Sequence, residues 1–199
     1  AEYALEYGLA MNIAGGTHHA FTDRAEGFCF LNDIAIASQY LLDHELASQI
    51  LVVDLDVHQG NGTAEIFSNE PRVFTFSMHG ANNYPLHKEK SDVDVPLPDK
   101  TDDKTYLKLL KENLSDILDR VTPDFIFFQS GVDVLATDKL GRLGMTIQGC
   151  KQRDELVLTA AKQLEVPVVA SMGGGYSENI KDIIEAHANT YRVGQDIFF

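Results

Sequence analysis

Two ligand-type side chains, Asp56 and His58, stand two positions apart directly after an apolar segment of the chain. In an extended segment alternate side chains point to the same side, so one metal ion could bridge the two. Asp133 follows another apolar segment and is the candidate third ligand. Three protein ligands leave a coordination position open for water and substrate, as in catalytic zinc sites. An Asp-x-His pair by itself is more often a hydrogen-bonded pair, so the metal hypothesis depends on the second acidic strand end.

A histidine pair and a tyrosine could act beside such a metal. His18 and His19 are adjacent in a glycine-rich loop, where one imidazole could accept a proton and the other could supply positive charge. The glycines of Gly173–Gly175 permit a tight turn that exposes Tyr176, whose phenol could donate to a developing oxyanion. Taken alone, each feature also fits a purely structural role. The chain lacks the phosphate-loop, H-E-x-x-H, G-x-S-x-G and C-x-x-C motifs.

Apolar runs of strand length alternate with helical patterns along the chain. The predicted strands cover residues 50–55, 73–76, 125–128 and 166–170, and helices are predicted at about 30–44, 62–68, 103–120, 149–164 and 177–190. A further helix is predicted over Glu2–Met11, and Gly80–Lys104 is predicted to be the longest loop. The alternation predicts an α/β fold, with a mostly parallel sheet covered by helices on both faces. Ligands of such sheets bind beyond the carboxyl ends of strands, where the polar clusters stand.

Composition places the chain in the ordinary globular range. Its 199 residues are 44% hydrophobic and 23% charged, which suits one domain with a core. No apolar run approaches the roughly 20 residues that a membrane-spanning helix needs. A formal net charge of -14 opposes direct binding to nucleic acid. Cys29 and Cys150 form no disulfide framework, which favours a reducing compartment and predicts a cytoplasmic location, or a nuclear one in a eukaryote.

In order and spacing, five segments resemble the zinc-dependent histone deacetylase family and together cover nearly the whole chain. These segments are Gly15-Gly16-Thr17-His18-His19, Gly27-Phe28-Cys29-Phe30-Leu31-Asn32-Asp33, Asp54-Leu55-Asp56-Val57-His58-Gln59-Gly60-Asn61-Gly62, Ser130-Gly131-Val132-Asp133 and Gly173-Gly174-Gly175-Tyr176. The set is specific, although each segment alone is not. Three stretches are most similar to the class IV branch of the family, namely residues 58–62, 138–143 and 151–156.

The resemblance implies an arginase/deacetylase-like three-layer sandwich with two cation sites. Zinc is implied to be held by Asp56, His58 and Asp133, and ferrous iron is the alternative metal for such ligands. A structural potassium or sodium ion is implied at a second site. Its implied ligands are the Asp54 carboxylate, the Ser77 hydroxyl and the main-chain oxygens of Asp56, His58 and Met78.

The resemblance also implies roles for the remaining polar clusters. His18 and His19 are implied to stand beside the zinc-activated water, with Asp54 paired to His18 and Tyr176 at the substrate carbonyl. The implied walls of the acyl-lysine tunnel are Gly27, Phe28, Tyr84, Leu140 and Gly174.

One departure from the better-known class I relatives concerns the residue behind the second histidine. This chain has Asn61 where those relatives have an aspartate. An asparagine oxygen can accept the imidazole N–H but brings no charge. We therefore predict that His19 is neutral and acts as the base, while His18 is the charged member of the pair.

The resemblance implies a hydrolase that removes acetyl or longer acyl groups from the side-chain amide of lysine in a protein or peptide. One alternative is a small-molecule amidohydrolase, such as an acetylpolyamine deacetylase acting on a small acetylated amine. A second alternative is an inactive acyl-lysine-binding module. Residues 1–199 are expected to form a single deacetylase catalytic domain that lacks the N-terminal portion usual in the family. Neither nucleic acid nor a membrane is an expected partner.

Overall fold

The central strands form because their side chains are buried from both faces of one sheet. The computed structural model describes residues 1–199. In the strand Phe125–Ser130, Phe125 and Phe127 join the apolar cluster on one face, while Ile126 and Phe128 join the cluster on the other. Double burial explains why the sequence of such a strand is continuously apolar instead of alternating.

The chain contains six strands and six helices, which alternate except that the third and fourth strands follow one another. The strands are β1 (Leu9–Asn12), β2 (Ile50–Asp54), β3 (Val73–Gly80), β4 (Val93–Leu97), β5 (Phe125–Ser130) and β6 (Val168–Met172). The helices are α1 (Glu2–Tyr7), α2 (Asp33–Asp43), α3 (Asn61–Ile66), α4 (Asp103–Val121), α5 (Ile147–Gln163) and α6 (Ile180–Phe198). Helices α1 and α2 cover one face of the sheet, and α4, α5 and α6 cover the other. None of these helices combines the length and the apolar content that crossing a membrane requires.

The sheet is wholly parallel, with the strand order β1-β6-β5-β2-β3-β4. The predicted α/β fold with a mostly parallel sheet is therefore confirmed. Because β6, β5 and β2 are parallel neighbours, the loops that follow them leave the sheet side by side at the carboxyl ends of the strands. The polar segments that begin at Asp56, Gly131 and Gly173 are thereby brought together.

The predicted helix over Glu2–Met11 is wrong in its second half. Helix α1 ends at Tyr7, because Gly8 adopts a left-handed conformation with φ of 81° that closes the helix. Residues Leu9–Asn12 then form β1, which pairs with β6 at one edge of the sheet. The strand depends on a partner 159 residues away at Leu9↔Val168, which local sequence patterns do not report.

The predicted loop Gly80–Lys104 is also partly wrong, because it contains β4 at the other edge of the sheet. β4 pairs with β3, which itself continues to Gly80, beyond its predicted end at Phe76. Pro96 lies within β4 and has no amide hydrogen to donate. An edge strand tolerates that loss because one of its sides has no neighbour, and the same proline hides the strand in the sequence.

A buried arginine ties the ends of β2 and β5 to helix α5. Arg153 is fully buried and forms an ion pair of 2.7 Å with Asp154. Its guanidinium also donates to the main-chain oxygens of Leu55 and Gly131, which lie just before Asp56 and Asp133 in the chain. Asp154 accepts a further hydrogen bond of 2.7 Å from Thr190 on α6. The loops that carry the predicted metal ligands are therefore hydrogen-bonded to helix α5 through Arg153.

We expect Arg153→Met to lower the free energy of unfolding by roughly 3 to 5 kcal/mol, because it leaves the Asp154 carboxylate buried without its partner. Urea unfolding followed by circular dichroism measures this change. Arg192→Met is the matched control, since Arg192 pairs with Glu185 at the surface of α6 and should change stability little. Equal losses in the two variants would contradict the structural importance of the buried pair.

Candidate active site

A cavity of about 580 Å³ opens at the carboxyl edge of the sheet, beside the ends of β2, β5 and β6. This volume lies within the usual range for small-molecule sites. The cavity brings together segments that are far apart in the sequence. The predicted site residues that line it are His18, His19, Gly27, Phe28, Asp56, His58, Tyr84, Leu140, Gly174 and Tyr176. Asn82, Asn83, Leu86 and Arg142 also line it and were not predicted.

The three predicted metal ligands converge at the base of this cavity. The candidate ligand atoms of Asp56, His58 and Asp133 all lie within 4.8 Å of one another. Nδ1 of His58 is 3.0 Å from Oδ1 of Asp56 and 3.1 Å from Oδ2 of Asp133. Oδ2 of Asp133 is buried yet makes no hydrogen bond. A buried carboxylate oxygen without a donor is costly, so this N/O/O set fits a divalent cation.

The other oxygens of the two carboxylates are occupied by main-chain donors. Oδ1 of Asp133 accepts from the Val57 N–H at 2.9 Å, and Oδ2 of Asp56 accepts from the Gly174 N–H at 2.8 Å. Each carboxylate is thus anchored by the loop of a different strand. Gly174 can approach this closely only because it has no side chain, since a Cβ there would overlap the Asp133 carboxylate. The ligand geometry is set by contacts among all three loops.

The pKa values within this triad reflect an excess of buried negative charge. Burial and the neighbouring charge of Asp56 raise the pKa of Asp133 to about 7. Burial opposes protonation of His58, but the neighbouring carboxylates of Asp133 and Asp56 outweigh it and raise its pKa to about 10. A proton on this triad compensates the charge that a metal cation would compensate better. Metal binding is therefore expected to displace that proton.

We expect Asp133→Asn to weaken divalent-cation binding, with zinc as the probe, by roughly 100-fold, because one buried anionic ligand becomes a neutral amide. Metal analysis after dialysis against a graded zinc chelator measures the affinity. Asp138→Asn is the control, since Asp138 accepts only main-chain hydrogen bonds outside the triad. Full zinc retention by Asp133→Asn would rule out the assigned ligand set.

The two adjacent histidines contact different partners. Nδ1 of His18 lies 2.6 Å from Oδ2 of Asp54, whereas Nδ1 of His19 lies 2.6 Å from Oδ1 of Asn61. Burial would lower the pKa of His18, but the charges of Asp54 and Asp56 raise it to about 9. Burial and the positive charge of His18 lower the pKa of His19 to about 3. At neutral pH His18 is therefore the cationic ring and His19 is the neutral one.

Tyr176 lines the cavity beside His58. Its ring centroid is 6.5 Å from that of His58, and its main-chain N–H donates to Asp138 at 2.6 Å. The second oxygen of Asp138 accepts from the N–H groups of Leu140 and Gly141, so it ties the Tyr176 turn to the loop of Leu140. Burial and the nearby carboxylates raise the pKa of Tyr176 to about 12. The phenol therefore keeps its proton and can donate it in a hydrogen bond.

Two of the residues implied for a monovalent cation lie side by side in the sheet. Asp54 and Ser77 are register partners in β2 and β3, and Met78 is fully buried. The Ser77 hydroxyl lies 3.0 Å from Nδ1 of His79. The cation site itself stays a prediction.

Two carboxylates near the site, Asp138 and Glu26, were not predicted from the sequence as site residues. Asp138 begins the stretch 138–143 noted in the sequence, but nothing in its spacing indicates that it anchors Tyr176. Glu26 accepts hydrogen bonds from the Asn61 amide and the Tyr84 hydroxyl, although 35 and 58 residues separate it from them. No local motif marks such long-range contacts.

Comparison with known proteins places this α/β fold and its candidate metal site within a family. Residues 1–191 match the sequence profile of the histone deacetylase domain. The chain therefore belongs to the histone deacetylase family. It is 48% identical over 198 residues to an uncharacterized protein of Picosynechococcus sp., covering 100% of this chain and 66% of that protein. It is 36% identical to histone deacetylase B of Dictyostelium discoideum, covering 86% of this chain and 42% of that protein.

Other relatives and solved structures agree with this placement. Human histone deacetylase 1 is 34% identical over 180 residues, which are 85% of this chain and 36% of that protein. An acetylpolyamine aminohydrolase from Burkholderia pseudomallei superposes with a TM-score of 0.81 at 28% identity, covering 97% of this chain and 58% of that one. The HDA15 HD domain superposes with a TM-score of 0.77 at 26% identity, covering 92% of this chain and 55% of that one. The chain thus spans less than two thirds of the length of these relatives.

Proposed function

We propose that this chain is the catalytic domain of a metal-dependent hydrolase that removes acyl groups from lysine side-chain amides. The main support is that Asp56, His58 and the unpartnered Oδ2 of Asp133 converge at a cavity that is also lined by His18, His19 and Tyr176. Zinc is the proposed metal, with ferrous iron as the alternative, because aspartate and histidine suit both ions. Assignment to the class IV branch and a cytoplasmic location belong to the same proposal.

The proposed reaction is hydrolysis of the amide by water. A divalent ion in the triad would polarise the amide carbonyl and acidify water at that point. His19 accepts a proton as the water oxygen attacks the carbonyl carbon, and it returns a proton to the lysine nitrogen as the C–N bond breaks. Cationic His18 stabilises the negative charge that develops beside it. The Tyr176 hydroxyl donates to the carbonyl oxygen as that oxygen becomes an oxyanion.

The walls of the cavity are the proposed tunnel for the acyl-lysine side chain. Phe28, Tyr84 and Leu140 form its apolar sides, and Gly27 and Gly174 lie where a side chain would obstruct His19 or Asp133. An apolar wall suits the alkyl stem of lysine and the acyl chain. The amide then reaches the polar base, where the triad, His19 and Tyr176 meet.

A second candidate is a hydrolase of small acetylated amines. The structural likeness to an acetylpolyamine aminohydrolase favours it specifically. An inactive acyl-lysine-binding module is disfavoured, because every ligand and both histidines are present together with Tyr176. The proposed substrates differ in size, so a substrate panel separates the first two candidates.

The central test measures hydrolysis by the zinc-loaded, full-length protein on acetyl-lysine peptide, myristoyl-lysine peptide and an acetylated diamine. We expect a peptide substrate to be preferred, and Tyr176→Phe to lower kcat roughly 100- to 1,000-fold because one oxyanion donor is lost. Zinc content should stay the same in that variant, which separates catalysis from metal binding. A preference for the diamine would favour the second candidate, and no hydrolysis of any substrate would contradict both.

A pH–rate profile tests the role of His19. The acidic limb should report protonation of the base, since His19 can accept a proton only when it is neutral. Asn61→Asp places a negative charge beside the ring and stabilises its cation, so the pKa of His19 rises. We therefore expect the acidic limb of kcat/KM to move to higher pH. An unmoved limb would count against His19 as the base.

A further inference from the structure

Glu26 contacts Asn61, the partner of His19, and Tyr84, which lines the cavity. Oε1 of Glu26 accepts from Nδ2 of the buried Asn61 at 3.1 Å and also from the Tyr84 hydroxyl. Oε2 lies 3.3 Å from Nε of Arg24 at the surface. The Glu26 side chain is 29% exposed. It therefore joins the protein surface to the residue that contacts His19.

The hydrogen bond to Glu26 determines which way the Asn61 amide faces. An asparagine side chain has one donor end and one acceptor end, whereas an ionised carboxylate can only accept. The hydrogen bonds from Tyr84, Arg24 and Asn61 lower the pKa of Glu26 against the opposing effect of burial, so it is ionised at neutral pH. The Nδ2 group must therefore face Glu26, and the Oδ1 atom must face His19.

This orientation selects one tautomer of His19. Because Oδ1 of Asn61 can only accept, Nδ1 of His19 must carry the hydrogen of the 2.6 Å contact. The other ring nitrogen, Nε2, is then left with a free lone pair. With the Asn61 amide reversed, its Nδ2 would donate to Nδ1, and Nε2 would carry the hydrogen instead. A ring in that second state cannot accept a proton through Nε2.

We propose that Glu26 is a positioning residue that, by orienting the Asn61 amide, holds His19 in the tautomer able to act as a base. The proposal rests on the proposed hydrolase function, because a base is needed only for that reaction. Glu26 touches neither the triad nor the cavity base, so it acts through Asn61. The Glu26 carboxylate thus does not contact the His19 imidazole directly, because the neutral Asn61 amide lies between them.

The tautomer can be observed without any turnover. In 15N-labelled protein, long-range 1H–15N spectra report whether Nδ1 or Nε2 of His19 carries the hydrogen, and the His19→Gln variant assigns the signals. We expect hydrogen on Nδ1 alone in the wild type. Glu26→Gln should give a mixture of tautomers, because an amide can either donate to Asn61 or accept from it. This result would stand even if the proposed substrates were not hydrolysed.

A double-mutant cycle provides the second readout. Glu26→Gln should lower kcat/KM roughly 10-fold, at the lower end of the cost of losing a partner behind a site residue. In the Asn61→Asp background the same substitution should leave kcat/KM unchanged or raise it. An aspartate accepts through either oxygen and needs no orientation, and removing Glu26 also removes repulsion between two adjacent carboxylates. The sign of the effect therefore distinguishes orientation from general support of the loop.

Two variants control for other roles of Glu26. Glu65→Gln removes a carboxylate that holds the same loop through the Thr22 N–H and hydroxyl, yet it does not contact Asn61. It should leave both the tautomer and kcat/KM unchanged. Tyr84→Phe removes the other donor to Oε1 of Glu26 and should leave the tautomer unchanged. A wild-type tautomer in Glu26→Gln, or equal losses of kcat/KM in the two Asn61 backgrounds, would overturn the proposal.

Discussion

The buried negative charge of Asp56 and Asp133 is the constraint on which the site depends. Two carboxylates cannot be held this close inside a protein unless donors or cations compensate them. Main-chain N–H groups from two other segments satisfy one oxygen of each, and the remaining atoms converge with His58 on one point. The packing of the loops therefore creates a candidate cation site at that point.

The same loops are held on their opposite side by positive charge. Arg153 donates to the carbonyls of Leu55 and Gly131, so it fixes the two strand ends from beneath while the ligand side chains face the cavity. The spacing between Asp56 and Asp133 is consequently set by helix α5 as well as by the sheet. A rigid arrangement of this kind suits a site whose ligands must be in place before the metal arrives.

The two adjacent histidines differ in pKa, and their Nδ1 atoms contact different side chains. His18 contacts a carboxylate and becomes cationic, whereas His19 contacts an amide and stays neutral. One ring can then supply charge while the other accepts a proton, which a pair in equal environments could not do.

The sequence by itself determined the central strands, the order of the polar segments and the Asp-x-His pair, because these depend on local burial patterns and on residues two positions apart. Continuous apolar runs predicted the central strands β2 and β5, since such strands are buried on both faces. The edge strands β1 and β4 escaped prediction, because pairing with a distant neighbour stabilises them more than their own composition does.

Only the tertiary structure decided how the site residues are supported. Glu26 reaches Asn61 across 35 residues, and Arg153 reaches Leu55 across 98. These contacts depend on where the folded chain places each side chain, and a hydrogen bond between distant segments leaves no periodic or spaced pattern in the sequence. The ligand types could therefore be predicted from the chain, whereas their orientation and charge balance required the packed structure.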